Sequence, residues 1–384
     1  MTAASDQRSS VYRPELDAVR FIAFVLVFLH HFFSPANLWF LGSREQVVQR
    51  YGPGFAQVLT SARNAAGFGL CLFFALSAYL ICDLLQRERN RIGTVRIGAF
   101  YRRRILRIWP LYCLGLLIGS AFAIRHHDHR GSMMFVAYAF MVGNWYCGRL
   151  AAWVSNPMLP LWSISIEEQF YLFWPMIARS WSRRATYVAC ISMILVSNAW
   201  LIYYGSVGAY AEPRVWTNSF IQFETFAAGL LMAMVLRQRM PSISLTARTA
   251  LFIVSFAGWF MADYALHLET IDAQPSIGQF ILGYALVSSS AAALILSLLG
   301  VPKGTIPTWL SYLGRISFGL YVFHELAGDI LYSLHVTLRL PSPITMVLQM
   351  LLTIGIAALS YRFLESPFLR MKARSEIILT NPQS

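Results

Sequence analysis

The chain has 384 residues, 57% of them hydrophobic and only 13% charged, with a mean hydropathy of +0.53. A soluble domain carries about 25% charged residues, so this composition excludes a soluble globular protein and indicates an integral membrane protein. The formal net charge of +13 does not point to nucleic acid, because the basic residues sit in short loops beside apolar runs, where they set orientation and meet anionic lipid.

Apolar runs near 20 residues recur from end to end, the length a helix needs to cross a hydrocarbon core of about 30 Å. The pattern predicts an all-α polytopic membrane protein with about ten spans, at 19–38, 67–86, 105–124, 162–179, 185–204, 216–236, 247–266, 278–300, 308–334 and 344–364. The loops at 34–62, 205–215 and 265–276 are acidic or neutral and are expected outside. A further apolar segment, residues 131–147, is short. If it crossed once, every later basic cluster would face outward, so charge bias predicts a re-entrant or interfacial hairpin on the outer side. With a cytoplasmic N-terminus, Arg8 and Arg13, the run Arg87–Arg107, Arg179, Arg183, Arg184, Arg237, Arg239, Lys303 and the closing Arg362, Arg370, Lys372 and Arg374 all fall inside. Residues 1–18 then form a cytoplasmic segment, 19–370 one transmembrane domain, and 371–384 a cytoplasmic tail, frayed from Ser375. No cleavable signal peptide is expected. No internal repeat is evident, which weighs against an inverted-repeat transporter. Cys71, Cys82, Cys113, Cys147 and Cys190 lack metal-ligand or redox spacing and read as buried, reduced packing residues.

The first span carries Arg20 and His31 in an otherwise apolar stretch; ionisable groups at such depth are functional by default, the alternative being an Arg20 that snorkels to the membrane edge and a His31 satisfied between helices. Eleven residues return a helical side chain to within ~20° of its start, so the two share a face some ~16 Å apart, while His30 points about 80° away. The third span opens with FYRRRILRIWPLY, Phe100–Tyr112. Arg102, Arg103, Arg104 and Arg107 form a cationic step at the inner surface, with Tyr101 as an interfacial aromatic. Arg103 and Arg107 face one way and suit a phosphate; a topology anchor on anionic lipid is the plainer alternative.

Next, LWSISIEEQFYLFWP (Leu161–Pro175) places Glu167 and Glu168 about two turns into a span, with Ser163 one turn before Glu167. Helical rise puts Glu167 and His31 at depths differing by only about 6 Å, which allows a meeting. A carboxylate pair attracted to the positive end of its helix is the alternative. LGRISFGLYVFHELAGD (Leu313–Asp329) buries Arg315, Tyr321, His324 and Glu325 in the ninth span. The consecutive His126, His127, Asp128 and His129 are not spaced for a metal, and no metal site is expected.

In order along the chain, these stretches resemble the acyltransferase-3 family of multi-pass bacterial membrane O-acyltransferases. The resemblance rests on Arg13–Asp17 followed by Arg20 and His31, and on Gly69–Ile81, where Cys71 and Ala78 replace the family's aspartate and glycine. It continues through FYRRRILRIWPLY, LWSISIEEQFYLFWP, Leu313–His324 and Phe363–Phe368, with Ser366 where an arginine is common. It covers residues 12–370 and implies acyl-CoA as donor, with no bound cofactor. The acceptor it implies is a hydroxyl, often on a cell-envelope polysaccharide or a glycoside. Some members carry a fused esterase-like domain; this chain is expected to be the stand-alone type, in the bacterial inner membrane with both termini cytoplasmic.

On that basis His31 is expected to be the general base, oriented by Glu167 or Glu168. Arg20, Ser77, Tyr101, Arg102, Arg103, Arg104, Arg107, Ser163, Tyr321 and His324 are expected to bind substrate, the acyl group being acetyl or another short chain. A double displacement through Ser77 or Tyr321 is the other chemical route. The rival functions are a secondary transporter with an intramembrane His–Glu proton relay and a lipid-binding scaffold.

Overall fold

A computed structural model describes residues 12–34, 37–179, 182–209, 212–269, 274–302, 304–338 and 340–374. Arg8, Lys303 and the tail from Ser375 lie outside the described residues, and each of the ten predicted spans coincides with helix. The first is α1 (Pro14–Phe32), opened by Pro14 at a position where its missing N–H and fixed φ suit a first turn. The predicted loop that follows holds two helices, α2 (Arg44–Tyr51) and α3 (Pro53–Gly67). Ser43 and Gln46 start α2 with a reciprocal capping box, a local signal that hydrophobic periodicity passes over. Then come α4 (Gly69–Ile92), closed by left-handed Gly93, and α5 (Ile97–Arg125).

The awkward segment 131–147 forms α6 (His129–Ala139) and α7 (Gly143–Leu150). At roughly 16 and 12 Å, neither is long enough to cross a bilayer. The chain continues as α8 (Trp162–Arg179), α9 (Arg183–Ser206), α10 (Glu212–Trp216), α11 (Ser219–Leu236), α12 (Leu245–Tyr264) and α13 (Ile277–Leu298). The ninth predicted span is broken at Ile316 into α14 (Thr308–Arg315) and α15 (Ser317–Leu338). Finally, α16 (Ser342–Ser360) passes through a π-helical turn, Tyr361–Glu365, into α17 (Ser366–Arg374).

Among the described residues, seven helical stretches are long and apolar enough to cross a membrane, as a multi-pass membrane protein requires. Three of the ten predicted spans, those of α1, α8 and α15, fall outside that set. Each of them carries acidic side chains within its length, Glu15 and Asp17 on α1, Glu167 and Glu168 on α8, and Glu325 and Asp329 on α15. In the middle of the bundle, α4 packs against α1, α8, α11 and α13. Two glycines let backbones touch. A Cβ at Gly229 would lie 2.1 Å from the Ala75 carbonyl oxygen, and one at Gly314 would lie 2.0 Å from that of Asp17. The second contact locks α14 onto α1 and brings Arg315 beside the first turns of α1. Four cysteines are buried as expected, but Cys113 is exposed on α5.

Candidate active site

Two cavities enter the bundle and meet back to back. One, of about 210 Å³, is lined by arginines from α1, α5 and α14; the other, of about 500 Å³, is lined by Trp153, Trp162 and Trp216. Leu70 of α4 and Tyr321 of α15 line both and form the partition. Phe73 backs Tyr321 edge-on at 5.8 Å, and the Tyr321 hydroxyl is tied to Ser163 Oγ at 2.7 Å and to the Pro160 carbonyl at 3.2 Å.

In the cationic cavity, several arginines are already committed. Arg13 donates to Tyr79 at 2.7 Å and lies 3.7 Å from Asp83; Arg20 pairs with Asp17; Arg103 donates to Glu88 at 2.7 Å. Others are not. Arg104 lies over the rings of Phe100 and Tyr171, Arg315 over that of Tyr312, and Arg107 has no hydrogen-bond or ion-pair partner among the described residues. The expected Arg103–Arg107 pair is thus split: Arg103 is held by Glu88, and Arg104, Arg107 and Arg315 are guanidiniums of this cavity with no carboxylate partner among the described residues. Arg102 is exposed and lines neither cavity, because it falls on the opposite side of α5 from positions 100, 103, 104 and 107. Tyr101 donates to the Leu172 carbonyl at 2.7 Å and is likewise outside. The π-helical turn contributes Tyr361 and buried Glu365 to the wall. At the deep end, Glu167 accepts from Ser77 at 3.2 Å and from Tyr171 at 2.7 Å.

His31 faces the other cavity. Its Nδ1 lies 2.8 Å from His324 Nε2 and 3.4 Å from Glu325 Oε1, with the two imidazoles stacked at 5.0 Å. His324 is fully buried; its Nδ1 meets the Tyr321 carbonyl oxygen at 2.6 Å, and Gln349 donates to its backbone carbonyl. A carbonyl only accepts, so the His324 proton is on Nδ1. A neutral His324 then offers its Nε2 lone pair to the His31 Nδ1–H, leaving His31 Nε2 with the free lone pair.

His31 does not meet Glu167 or Glu168. Since α1 begins at Pro14, His31 sits in its last turn, roughly 25 Å from the inner end of the helix, and Glu167 lies on the far side of the Tyr321 partition. Glu168 lines neither cavity; Trp109 donates to one of its oxygens at 3.4 Å and the other is buried with no hydrogen-bond partner among the described residues. Arg20 and His31 share a helix face as their spacing requires, yet they open to different cavities. His30 turns its Nδ1 to the Arg63 carbonyl at 3.1 Å.

The carboxylate beside His31 is Glu325, next to His324 in sequence and one of the few acids inside an apolar span; that adjacency was the available signal. The tryptophans of the outer wall come from three separate segments and carried none. Among the described residues, His31, His324 and Glu325 are also the only three His, Cys, Asp or Glu side chains close enough to share an ion, so the His126–His129 run does not converge.

Residues 13–362 match the family model described as an acyltransferase domain. The chain is similar to the O-acetyltransferase OatA of Staphylococcus aureus, 25% identical over 324 residues that cover 79% of this chain and 53% of the relative. It is similar to a protein of Bacillus subtilis, YrhL, provisionally named a peptidoglycan O-acetyltransferase, at 26% identity over 348 residues, 81% of this chain and 52% of the relative. A provisionally named O-acetyltransferase of Staphylococcus aureus is 25% identical over 385 residues, 93% of this chain and 57% of the relative. The chain thus spans about half the length of the curated relatives it matches. No solved structure matches it. With the match running from the start of α1 to the π-helical turn, and both cavities built within those bounds, this chain belongs to the acyltransferase-3 family of membrane proteins.

Proposed function

We infer that the protein is a membrane O-acyltransferase that moves a short acyl group from acyl-CoA in the cationic cavity to a hydroxyl of a carbohydrate in the tryptophan-lined cavity. The observation that carries this is the meeting of the two cavities at Leu70 and Tyr321, with the His31 dyad on one side and unpaired arginines on the other. Arg104, Arg107 and Arg315 supply charge-assisted donors for the phosphates of CoA. Arg20 and His31 are some ~16 Å apart along α1, a span of the order of an extended pantetheine arm, so a thioester threaded past Tyr321 arrives near His31. The O-acetyltransferase names of the relatives support a short acyl chain.

In the reaction, His31 Nε2 takes the proton of the acceptor hydroxyl as its oxygen forms the ester bond to the thioester carbon. The carbon–sulfur bond then breaks, and the proton passes from His31 to the CoA sulfur. His324 fixes the His31 ring through its Nδ1–H, and Glu325 offsets the imidazolium charge, the role a carboxylate plays beside a catalytic histidine. Indole faces suit the C–H faces of a sugar ring; the name of the Bacillus subtilis relative supports a glycan acceptor, and that of OatA supports O-acetyl transfer.

The basic loops support cytoplasmic termini in the bacterial inner membrane, so the cationic cavity faces the acyl-CoA pool and the other faces outward. Cysteines introduced at Arg130 and Ser155, both exposed, in a Cys113→Ser background should both label from the periplasmic side. Labelling of Ser155→Cys only from the cytoplasm would overturn that orientation. The function itself is tested in proteoliposomes with labelled acetyl-CoA supplied to the cationic face and glycans to the other. Transfer of label to a glycan hydroxyl, lost in His31→Ala, is the expected result. Movement of unmodified substrate with no ester formed would favour the transporter instead.

A further inference from the structure

The three groups that converge on His31 are also three good metal ligands. The atoms His31 Nδ1, His324 Nε2 and Glu325 Oε1 form a triangle with sides of 2.8, 3.4 and 3.6 Å, whose circumcentre is about 1.9 Å from each corner. An ion about 0.7 Å above that plane sits ~2.0–2.1 Å from all three, the lengths of zinc–imidazole and zinc–carboxylate bonds. The donor set, two imidazoles and one carboxylate, is one that zinc takes when a fourth position is left open. Here that position faces the tryptophan-lined cavity, since His31 and Glu325 line it. The supporting shell is also built. His324 gives its second ring nitrogen to the Tyr321 carbonyl at 2.6 Å, the outer bond that orients metal-bound histidines, and Gln349 holds its backbone.

We propose that His31, His324 and Glu325 form a binding site for one divalent transition-metal ion of the zinc type, and that an ion there blocks acyl transfer. Zinc on Nδ1 forces the neutral His31 ring into the tautomer with its proton on Nε2. That is the nitrogen assigned above as the base, and a protonated Nε2 cannot accept the acceptor's proton. The blocking step rests on the assignment of His31 as base; the binding does not. Envelope zinc would thus switch the enzyme from the acceptor side, without competing for the donor.

The test uses the full chain purified in detergent, with Zn²⁺ and with Co²⁺ as a spectroscopic probe. One equivalent of Co²⁺ should bind with the visible ligand-field bands of a four-coordinate N,O site, and Zn²⁺ should displace it. His31→Ala and Glu325→Ala, both on partly exposed side chains, should each weaken binding by more than the ~10–100-fold that follows loss of an outer partner. The same should hold for His324→Ala, whose burial makes it the less secure variant. Binding should persist when His126, His127 and His129 are all replaced by alanine. Absence of a one-to-one site, or its loss with those outer-loop histidines, overturns the proposal and leaves the base assignment untouched. Zn²⁺ should also abolish acetyl transfer with an unchanged KM for acetyl-CoA, reversibly on chelation. Stoichiometric binding with full activity retained would overturn the block and, separately, remove His31 as the base.

Discussion

In the cationic cavity, Arg13, Arg20 and Arg103 each reach a carboxylate while, among the described residues, Arg104, Arg107 and Arg315 do not; across the Tyr321 partition, indole rings line the wall beside the His31–His324–Glu325 cluster and charges of both signs, Arg63, Glu269 and Asp329. The first arrangement uses paired ions as scaffold and leaves surplus positive charge to meet a polyanion. The second offers flat apolar faces beside His31 and a set of polar groups with charges of both signs, which suits a neutral polyol. On the proposed function, two adjoining cavities sort two substrates by chemistry alone, the donor by charge and the acceptor by stacking. That division can be broken at either end.

The largest effect is expected at the base. His31→Ala should lower acyl transfer by about 10²–10⁴-fold, the usual worth of a general base, with normal protein level and unchanged acyl-CoA binding in filter or calorimetric assays. Loss of donor binding in this variant would merge the two cavities into one functional unit.

A smaller loss separates the carboxylates. Glu325→Gln should cost part of that factor, about ten- to a hundredfold in kcat, because His324 still orients the ring but the imidazolium loses its counter-charge. Glu168→Gln should leave kcat within about twofold, as its carboxylate is remote from the reacting atoms. The reverse ranking would restore the pairing of His31 with the α8 carboxylates.

At the donor end, Arg107→Ala or Arg104→Ala should raise the KM for acyl-CoA roughly tenfold or more, the loss of one charge-assisted phosphate contact at about 1.5–3 kcal/mol. Lysine should rescue only partly, since it lacks the planar fork. The acceptor KM should stay put. Equal movement of both constants would show that the cavities do not divide the substrates as described.

The smallest change is expected in the outer wall. Trp153→Ala should raise the acceptor KM by about two- to tenfold, the range of an aromatic contact worth ~0.5–1.5 kcal/mol. Salt should sharpen the contrast: from low to about 0.15 M ionic strength the donor KM should climb through screening, while the acceptor KM hardly moves.

Much of this was legible in one dimension. Apolar length gave the helix under each predicted span, seven of them long and apolar enough to cross, because a bilayer demands about 20 residues of helix whatever the partners. The His31 and Arg20 spacing gave a shared face, because helical geometry is local. The FYRRR run gave a cationic step, and the FHEL stretch placed His324 and Glu325 together. Local rules also misled. Depth arithmetic brought His31 to Glu167, yet it counted from Arg20 and not from Pro14, so His31 was set too shallow along α1.

Composition, periodicity and motif order, read from the chain alone, determined an all-α membrane protein of this family with an ionisable first span and an arginine-rich third. Tertiary structure decided the rest. Which carboxylate faces His31 depends on how α15 lies against α1, and the contact of Gly314 with Asp17 that docks the neighbouring α14 is between residues 297 positions apart. Which arginines remain unpaired depends on Glu88 of α4 having claimed Arg103. Where the two cavities divide depends on a tyrosine held by a serine of another helix. Local rules govern how a helix forms and what each face carries; which faces meet is a property of the packed bundle, because pairing energies arise only between elements far apart in the chain.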